Sequence, residues 1–205
     1  MLHSKLLPID AILPKLKETL WTHSAVVLQA PPGSGKTTRV PLALLDLFLP
    51  EKERIIMLEP RRLAAVSAAR WMAQELGEKI GQTLGYTIRF DRRVSEQTRI
   101  EVVTEGIFTR RIATDPTLDG VAMIIFDEFH ERSLQTDLAL ALCLDIRRSL
   151  REDLKILVMS ATMDCGPISA LLGNAPVLTA EGKVYPVEER YYESSQNKRV
   201  EERIS

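Results

Sequence analysis

The segment from Ala30 to Thr37, Ala-Pro-Pro-Gly-Ser-Gly-Lys-Thr, has the residue types and the spacing of a phosphate-binding loop. The apolar run Ala25 to Leu28 precedes it and the apolar segment Val40 to Phe48 follows it, which predicts a strand, a glycine-rich turn and a helix. Glycines let successive backbone N–H groups point at one anion, and the helix N-terminus adds about half a positive charge. This pattern predicts a polyphosphate ligand.

The predicted nucleotide contacts run along the loop and into the helix: Pro32, Gly33, Ser34, Gly35, Lys36, Thr37 and Thr38. Among them, Lys36 can reach the outer phosphates and the Thr37 hydroxyl can bind Mg²⁺. The general pattern has glycine where this chain has Ala30, so one glycine is missing. A solvated Gly/Ser loop is the alternative, and the strand before and the helix after the loop argue against it.

Two adjacent carboxylates, Asp127 and Glu128, follow the apolar residues Ile124 to Phe126. The carboxyl ends of strands are where open α/β sheets bind ligands. There Asp127 can hold Mg²⁺ through its waters, and Glu128 can accept a proton from the water that attacks a terminal phosphate. A solvated turn is the alternative for an isolated Asp-Glu pair, and the upstream phosphate loop argues against it. The predicted catalytic residues are therefore Lys36, Asp127 and Glu128, and the predicted metal ligands are Thr37 and Asp127.

Apolar runs typical of strands alternate with segments of helical period. The predicted strands are Ala25–Gln29, Arg54–Leu58, Thr83–Arg89, Thr98–Val103, Val121–Phe126 and Lys155–Met159. The predicted helices are Ile9–Leu20, one that begins at Lys36, Leu63–Leu76, Gly106–Ala113, Leu134–Leu150 and a weak one at Pro167–Leu172. Nearly continuous apolar strands separated by helices are typical of a parallel sheet covered on both faces. The predicted fold is a doubly wound, mostly parallel α/β domain.

The composition fits one compact domain with an appendage, since 205 residues that are 45% hydrophobic are ample for one core and few for two. The formal net charge is −1, so contact with nucleic acid requires a local basic patch. Cys143 and Cys165 lack a metal-ligand spacing and indicate reduced structural thiols. The sequence shows neither a signal peptide nor an apolar run long enough to span a bilayer, so we expect a cytoplasmic location without membrane contact.

Five segments occur in the order of motifs I, Ia, Ib, II and III of the superfamily 2 helicases: Ala30–Thr37, Pro60–Ala65, Thr104–Gly106, Asp127–His130 and Ser160–Thr162. Their form resembles the DEAH-box RNA helicases, and most closely the bacterial HrpB subfamily, in which Phe replaces Ala at the third position of the box, here Phe129. The resemblance runs from about Ala25 to Pro186. It accounts for Ala30, because these helicases often carry alanine there, and it implies a RecA-like P-loop NTPase domain that uses ATP and Mg²⁺.

The resemblance also implies roles that spacing alone does not reveal. The residues that resemble contacts to the backbone of single-stranded RNA are Arg61, Arg62, Thr104 and Gly106. Such contacts position a strand without reading its sequence. The residues that resemble those coupling the nucleotide state to RNA binding are His130, Ser160 and Thr162. Without the resemblance, the two arginines would be interpreted as the solvated start of a helix.

Two positions depart from relatives in this family. Trp71 lies about where some relatives carry an arginine that stacks on adenine. Trp71 could replace that stack, but burial in the core is the preferred interpretation. Glu59 stands before Pro60 where many eukaryotic relatives have glutamine, and the sequence suggests no role for it.

Helicases of this family work with two RecA-like domains, and the second supplies motifs IV to VI with the arginine fingers that complete the ATP site. The segment Gly182 to Val187 resembles the connection into that second domain. We therefore expect residues 1–181 to form the first domain and residues 182–205 to form a linker toward a second domain in cis. The expected full-length protein is an ATP-dependent RNA helicase, and this piece alone is expected to be nearly inactive.

Two other functions stay open. One is a P-loop phosphotransferase of another class, such as a small-molecule kinase, which the Asp-Glu pair and the Ser-Ala-Thr segment disfavour. The other is a non-enzymatic module that binds RNA or a protein and retains the ATP site as a relic, which the intact Lys36, Asp127 and Glu128 disfavour. Stimulation of ATP turnover by RNA distinguishes the three functions.

Overall fold

The computed structural model describes residues 6–48, 53–161 and 164–181. The strands are β1 (Ala25–Gln29), β2 (Arg54–Glu59), β3 (Leu84–Ile88), β4 (Asp91–Arg93), β5 (Ile100–Thr104), β6 (Val121–Phe126), β7 (Lys155–Ser160) and β8 (Val177–Thr179). The helices are α1 (Leu13–Thr22), α2 (Lys36–Phe48), α3 (Arg62–Glu75), α4 (Glu105–Thr114), α5 (Leu134–Ser149) and α6 (Gly166–Leu171). Short 3₁₀ turns lie at Pro8–Ala11 and Phe129–Glu131.

The strands form one sheet in the order β4-β3-β5-β2-β6-β7-β1-β8. Every neighbouring pair is parallel except β3 and β4, which form a hairpin. Parallel strands end at the same edge of a sheet, so the loops that follow β1, β2, β5, β6 and β7 meet there. The structure therefore confirms the doubly wound, mostly parallel α/β fold and brings the predicted motifs to one edge.

An apolar core lies on each face of the sheet. Successive strand residues point to opposite faces, so Val26 and Leu28 enter the core shared with α1, α2 and α3, whereas Val27 enters the core shared with α4 and α5. Each fully buried aliphatic side chain of this kind stabilises the fold by about 1.5–3 kcal/mol relative to an exposed one. This burial on both faces explains why the strands read as nearly continuous apolar runs.

The N-terminal helix differs from the prediction. Instead of one helix over Ile9–Leu20, the chain forms the 3₁₀ turn and then α1, with Pro14 in the first turn of α1. Proline has no N–H to donate inside a helix, and in the first turn that N–H would have no partner within the helix. A helix that contains Pro14 therefore begins beside it.

Two short strands were not predicted, β4 and β8. β4 is Asp-Arg-Arg and β8 is Val-Leu-Thr, too short to show the alternation by which a strand is recognised. Both lie at edges of the sheet, where pairing with one neighbour is sufficient. β8 extends the ordered domain past Pro176, where the sequence pattern loosens.

Cys143 and Cys165 are buried free thiols, as the sequence indicated. Burial raises the pKa of the Cys143 thiol well above its usual value, so the reactive thiolate is disfavoured. None of the helices described above combines the length and the apolar character that a membrane-spanning segment requires.

Candidate active site

The phosphate loop leaves β1 at Ala30 and enters α2 at Lys36. Gly33 and Gly35 have φ angles of 71° and 95°, which residues with a side chain rarely adopt. Ala30 has no positive φ, and its methyl group is buried, so this position needs no glycine. That geometry explains the departure from the general pattern. The structure places the predicted contacts as expected, with Pro32, Gly33, Ser34 and Gly35 on the loop and Lys36, Thr37 and Thr38 in the first turn of α2.

Two hydrogen bonds join the start of α2 to the carboxylates that follow β6. Lys36 Nζ donates to Glu128 Oε1 over 2.8 Å, and Thr37 Oγ1 donates to Asp127 Oδ2 over 2.5 Å. The partners are 92 and 90 residues apart in the chain, so the sheet topology brings them together. The four residues predicted to perform catalysis and to bind metal thus form one cluster.

The Asp127 carboxylate is held in place at the end of β6. Its Oδ1 accepts the Glu128 N–H over 2.8 Å, and the Asp127 N–H donates to the Leu58 carbonyl over 3.0 Å. The Thr37 hydroxyl and this carboxylate are hard oxygen ligands of the type that Mg²⁺ prefers, together with phosphate oxygens and water. The donor set therefore fits the predicted metal.

Glu59, at the end of β2, is a buried neighbour of Asp127 that the sequence analysis left without a role. Burial and then the negative charge of Asp127 raise the pKa of Glu59 to about 9. Burial also raises the pKa of Asp127, but the Thr37 hydroxyl and the charge of Lys36 oppose this shift. Glu59 Oε1 has no hydrogen-bond partner among the described residues, and the raised pKa favours the protonated form of Glu59. A neutral Glu59 is close in shape and hydrogen bonding to the glutamine of the eukaryotic relatives.

The 3₁₀ turn Phe129–Glu131 follows the two carboxylates and is strained at both ends. Glu128 and Arg132 have φ angles of 49° and 43°, although neither is glycine. Each such residue costs on the order of 1 kcal/mol, and surrounding contacts must hold it. The buried Phe129 ring provides one such contact, because it packs edge-on against Phe126 with 6.1 Å between the ring centroids. Phenylalanine at the third position of the box therefore anchors this turn in the core.

The predicted coupling residues lie next to this turn. His130 Nδ1 accepts the Ala161 N–H over 3.3 Å and lies 3.3 Å from Glu128 Oε2. Ser160, the last residue of β7, is fully buried, and its hydroxyl has no hydrogen-bond partner among the described residues. Thr162 lies outside the described residues. The structure thus brings His130 to the Ser160-Ala161 segment, whereas the coupling roles stay predictions.

The predicted RNA contacts lie further along the same edge of the sheet. Arg61 and Arg62 follow β2 and are exposed, Thr104 ends β5, and Gly106 lies in the first turn of α4. One nitrogen of the Arg61 guanidinium, Nη2, donates to Glu131 Oε1 over 2.9 Å. The contact between Arg61 and Glu131 was not predicted, because 70 residues separate the two in the chain.

The tip of the β3–β4 hairpin lies at this edge too, and the sequence analysis missed it. Phe90 is 91% exposed with a φ of 70°, and the Arg89 guanidinium lies 4.7 Å from the centroid of its ring. Arg92 and Arg93 follow in β4 and are exposed. The run Arg-Phe-Asp-Arg-Arg between two β-rich segments was the available signal, because exposed aromatic rings interleaved with arginines are typical of surfaces that bind single-stranded nucleic acid.

A cavity of about 460 Å³ opens beside the phosphate loop. Thr37, Thr38 and Glu128 line one part of it, and Ser67 and Trp71 of α3 line another. Arg61 and Glu131 also border this cavity. Trp71 is 38% exposed, so the interpretation of Trp71 as a buried core residue is wrong. The core side of α3 is formed by Ala65, Ala68, Ala69, Met72 and Ala73. Trp71 lies outside this set, which leaves its ring available to the cavity.

A glycine-rich loop after β1 and an Asp-Glu pair after β6, in a doubly wound parallel sheet, define a RecA-like P-loop NTPase domain. Within this class, the chain belongs to the DEAD/DEAH box helicase family, whose pattern residues 11–170 match. The family and fold predicted from the five motifs are therefore confirmed.

Individual relatives agree with this assignment. The chain is 49% identical over 199 residues to the ATP-dependent RNA helicase HrpB of Escherichia coli (strain K12). The aligned residues make up 97% of this chain and 24% of the relative. It is 38% identical over 182 residues to the ATP-dependent RNA helicase HrpA of Borreliella burgdorferi, which covers 89% of this chain and 22% of the relative. A crystal structure of the Escherichia coli DEAH/RHA helicase HrpB has a TM-score of 0.87 at 50% identity and covers 95% of this chain and 25% of that one. The chain thus spans about a quarter of the length of these relatives.

Proposed function

We propose that this chain is the ATP-binding first RecA-like domain of an ATP-dependent RNA helicase of the HrpB subfamily. The observation that carries the proposal is the pair of hydrogen bonds, 2.8 Å from Lys36 to Glu128 and 2.5 Å from Thr37 to Asp127. They set a candidate base and a candidate metal ligand against a loop shaped for phosphates. The names of the relatives, ATP-dependent RNA helicases, support the same reaction.

In the proposed reaction, water attacks the γ-phosphate of ATP. The loop N–H groups and Lys36 would bind the phosphates, and Thr37 and Asp127 would hold Mg²⁺, which would supply positive charge against the phosphate oxygens. Glu128 accepts the proton of the attacking water. Glu59, whose pKa is raised by burial and by the charge of Asp127, donates a hydrogen bond to Asp127 when it is protonated and so keeps that carboxylate turned toward Thr37.

We further propose that the cavity beside the loop receives the base of the nucleotide. It begins at Thr37 and Thr38, where the phosphates would bind, and extends to Trp71. The half-exposed Trp71 ring provides a face on which a base can stack, whichever base it is.

For RNA, we propose a strand path along the carboxyl edge of β2, β5 and β3. Arg61, Arg62, Thr104 and Gly106 would contact its backbone, and the exposed hairpin tip with Arg89 and Phe90 would add a cation and a stacking ring. The net charge of −1 supplies no general attraction, so binding relies on this local patch and falls steeply with salt.

We propose that residues 1–181 are the domain unit and that residues 182–205, which lie outside the described part of the chain, lead toward a second RecA-like domain in cis. Catalysis at full rate would need groups from that second domain, because a positively charged finger at the γ-phosphate contributes about 10³–10⁵ in rate. The proposed place of action is the cytoplasm.

The test is ATP turnover by the full-length protein with and without single-stranded RNA, and Glu128→Gln serves as the inactive reference. We expect turnover that rises when RNA is added and does not rise with small phosphoryl acceptors. Transfer of phosphate to such an acceptor would support the P-loop phosphotransferase instead. Binding of RNA without any turnover of ATP would support the non-enzymatic module that retains the ATP site as a relic.

A further inference from the structure

The strained turn Phe129–Glu131 has one acidic residue at its start and another at its end. Glu128 precedes the turn and pairs with Lys36 over 2.8 Å. Glu131 ends it and pairs with Arg61 over 2.9 Å. Three residues thus connect the proposed phosphate contact to the proposed RNA contact.

The contact between Glu131 and Arg61 leaves room for a further ligand on the arginine. It joins one carboxylate oxygen to one guanidinium nitrogen, and the Arg61 side chain is 72% exposed. A guanidinium carries five N–H donors, so Arg61 can contact a phosphate while Glu131 still holds it. Glu131 therefore orients Arg61 without occupying all of its donors.

The turn is short and is held at one point, so a displacement at one end can pivot it about that point. The point is the Phe129 ring, which is buried in the core, and beyond the turn Arg132 forms an exposed ion pair of 2.7 Å with Asp137. Glu128 and Arg132, on either side of the turn, both have positive φ angles. Residues held in strained conformations cluster at switches, because a small change in their contacts allows them to relax.

We propose that Glu131 is a positioning residue that couples RNA bound at Arg61 to the orientation of the catalytic Glu128. This inference rests on the proposed function. A phosphate that binds Arg61 draws the guanidinium toward itself, and Glu131 follows because the ion pair persists. The short turn passes this displacement to Glu128, which then leaves Lys36 free for the phosphates of ATP.

The experiment measures steady-state ATP turnover by the full-length protein at increasing concentrations of single-stranded poly(U). For Glu131→Ala, the stimulation is the ratio of the rate at saturating RNA to the rate without RNA, so a change that scales both rates equally does not alter it. The stimulation at saturating RNA should fall by at least about fivefold, the lower end of ordinary coupling between two sites. The RNA concentration that gives half-maximal stimulation should change less than about threefold, because Arg61 remains. A loss of stability alone would lower both rates together and leave their ratio unchanged.

Three further variants make the result specific. Glu131→Gln keeps an acceptor oxygen for Arg61 and should retain more stimulation than Glu131→Ala. The double variant Arg61→Ala with Glu131→Ala should show no less stimulation at saturating RNA than Arg61→Ala alone, because the two residues act as a unit. Glu18→Ala is the matched control, since Glu18 forms an ion pair of the same length, 2.9 Å, with Lys15 on α1.

Each outcome decides a different claim. If RNA stimulates the parent and Glu131→Ala equally, the inference is wrong and the proposed function stands. The same holds if the loss of stimulation in the double variant is the sum of the losses in the two single variants. If Glu131→Ala only raises the RNA requirement, Glu131 is a binding residue and the coupling role is wrong. If RNA does not stimulate the parent, the proposed function and the inference are both overturned.

Discussion

The Lys36 ammonium and the Glu128 carboxylate form a 2.8 Å ion pair between the first turn of α2 and the end of β6. The pair joins the residue proposed to bind the outer phosphates to the residue proposed to accept the proton of water. In the proposed site both side chains adjust when a triphosphate enters, so the two sides of the site are expected to respond to the nucleotide together.

Replacing Lys36 should weaken ATP binding. Lys36→Ala removes a hydrogen bond from a charged donor, worth about 1.5–3 kcal/mol, which corresponds to roughly 10- to 100-fold in affinity. Titration with a fluorescent ATP analogue measures the change, and Lys15→Ala, which removes an exposed lysine of α1, is the control. Unchanged affinity would remove Lys36 from the site.

Glu128→Gln should separate binding from catalysis. Glutamine keeps the shape of the side chain but cannot accept the proton of water, so turnover should fall by roughly 10²- to 10⁴-fold while ATP binding is retained. Steady-state turnover of the full-length protein tests this. The base is misassigned if the rate stays within about threefold of the parent.

Ser160→Ala combined with Thr162→Ala should reduce RNA unwinding and largely preserve RNA-stimulated ATP turnover. The buried Ser160 hydroxyl has no partner among the described residues, so its removal costs little stability and a change in activity is not explained by misfolding. Duplex displacement and ATP turnover are measured on the same preparation. Equal loss of both activities would place the pair in the catalytic site.

Trp71 should report on the base of the nucleotide. In the 205-residue chain with Trp21→Phe, Trp71 is the remaining tryptophan, and ATP should quench its fluorescence. Trp71→Ala should lower ATP affinity roughly fivefold or more, since stacking on a base is worth about 1–3 kcal/mol. Inorganic tripolyphosphate, which has no base, should bind parent and variant equally. An equal loss for both ligands would contradict stacking.

The motifs predictable from sequence are those whose residues are contiguous. The phosphate loop and the Asp127-Glu128 pair each carry their chemistry within a few residues. Each comes directly after an apolar strand, so their position at the edge of the sheet could be predicted. The exposure of Trp71 could not be predicted in this way, because it depends on which side of α3 faces the core. The raised pKa of Glu59 and the contact of Glu131 with Arg61 also depend on distant segments, and no local pattern specifies them.

A buried ion pair outside the site should make stability depend on pH. Glu101 in β5 accepts two hydrogen bonds from Arg111, of 2.9 and 2.6 Å, and one of 2.6 Å from Thr87. Burial alone would raise the pKa of Glu101. The hydrogen bonds and the charge of Arg111 together lower the pKa by more than burial raises it, so the pKa lies below the usual 4.5. The stabilisation is therefore complete above the unfolded-state pKa and is lost as the pH falls through the lower folded-state value.

Glu101→Gln should accordingly destabilise the 205-residue chain by about 3 kcal/mol at pH 7, because it leaves Arg111 without its partner charge. The difference in unfolding free energy between parent and variant should shrink as the pH falls below 4.5, the usual pKa of glutamate. Urea unfolding at several pH values measures this, with Glu18→Gln as the exposed control. A difference that is the same at every pH would show that packing, and not charge, stabilises this position.

The order of the strands fixes a length. Four steps between neighbouring strands separate β1, which leads into the phosphate loop, from β5, which ends at Thr104. At about 4.8 Å per step, this is about 19 Å along a hydrogen-bonded and nearly inextensible direction. Loop substitutions can alter how tightly each ligand is bound, but they cannot shorten the distance between β1 and β5. The proposed nucleotide site and the far end of the proposed strand path therefore keep a constant spacing. A change in step size along RNA would have to come from movement of another body relative to this sheet.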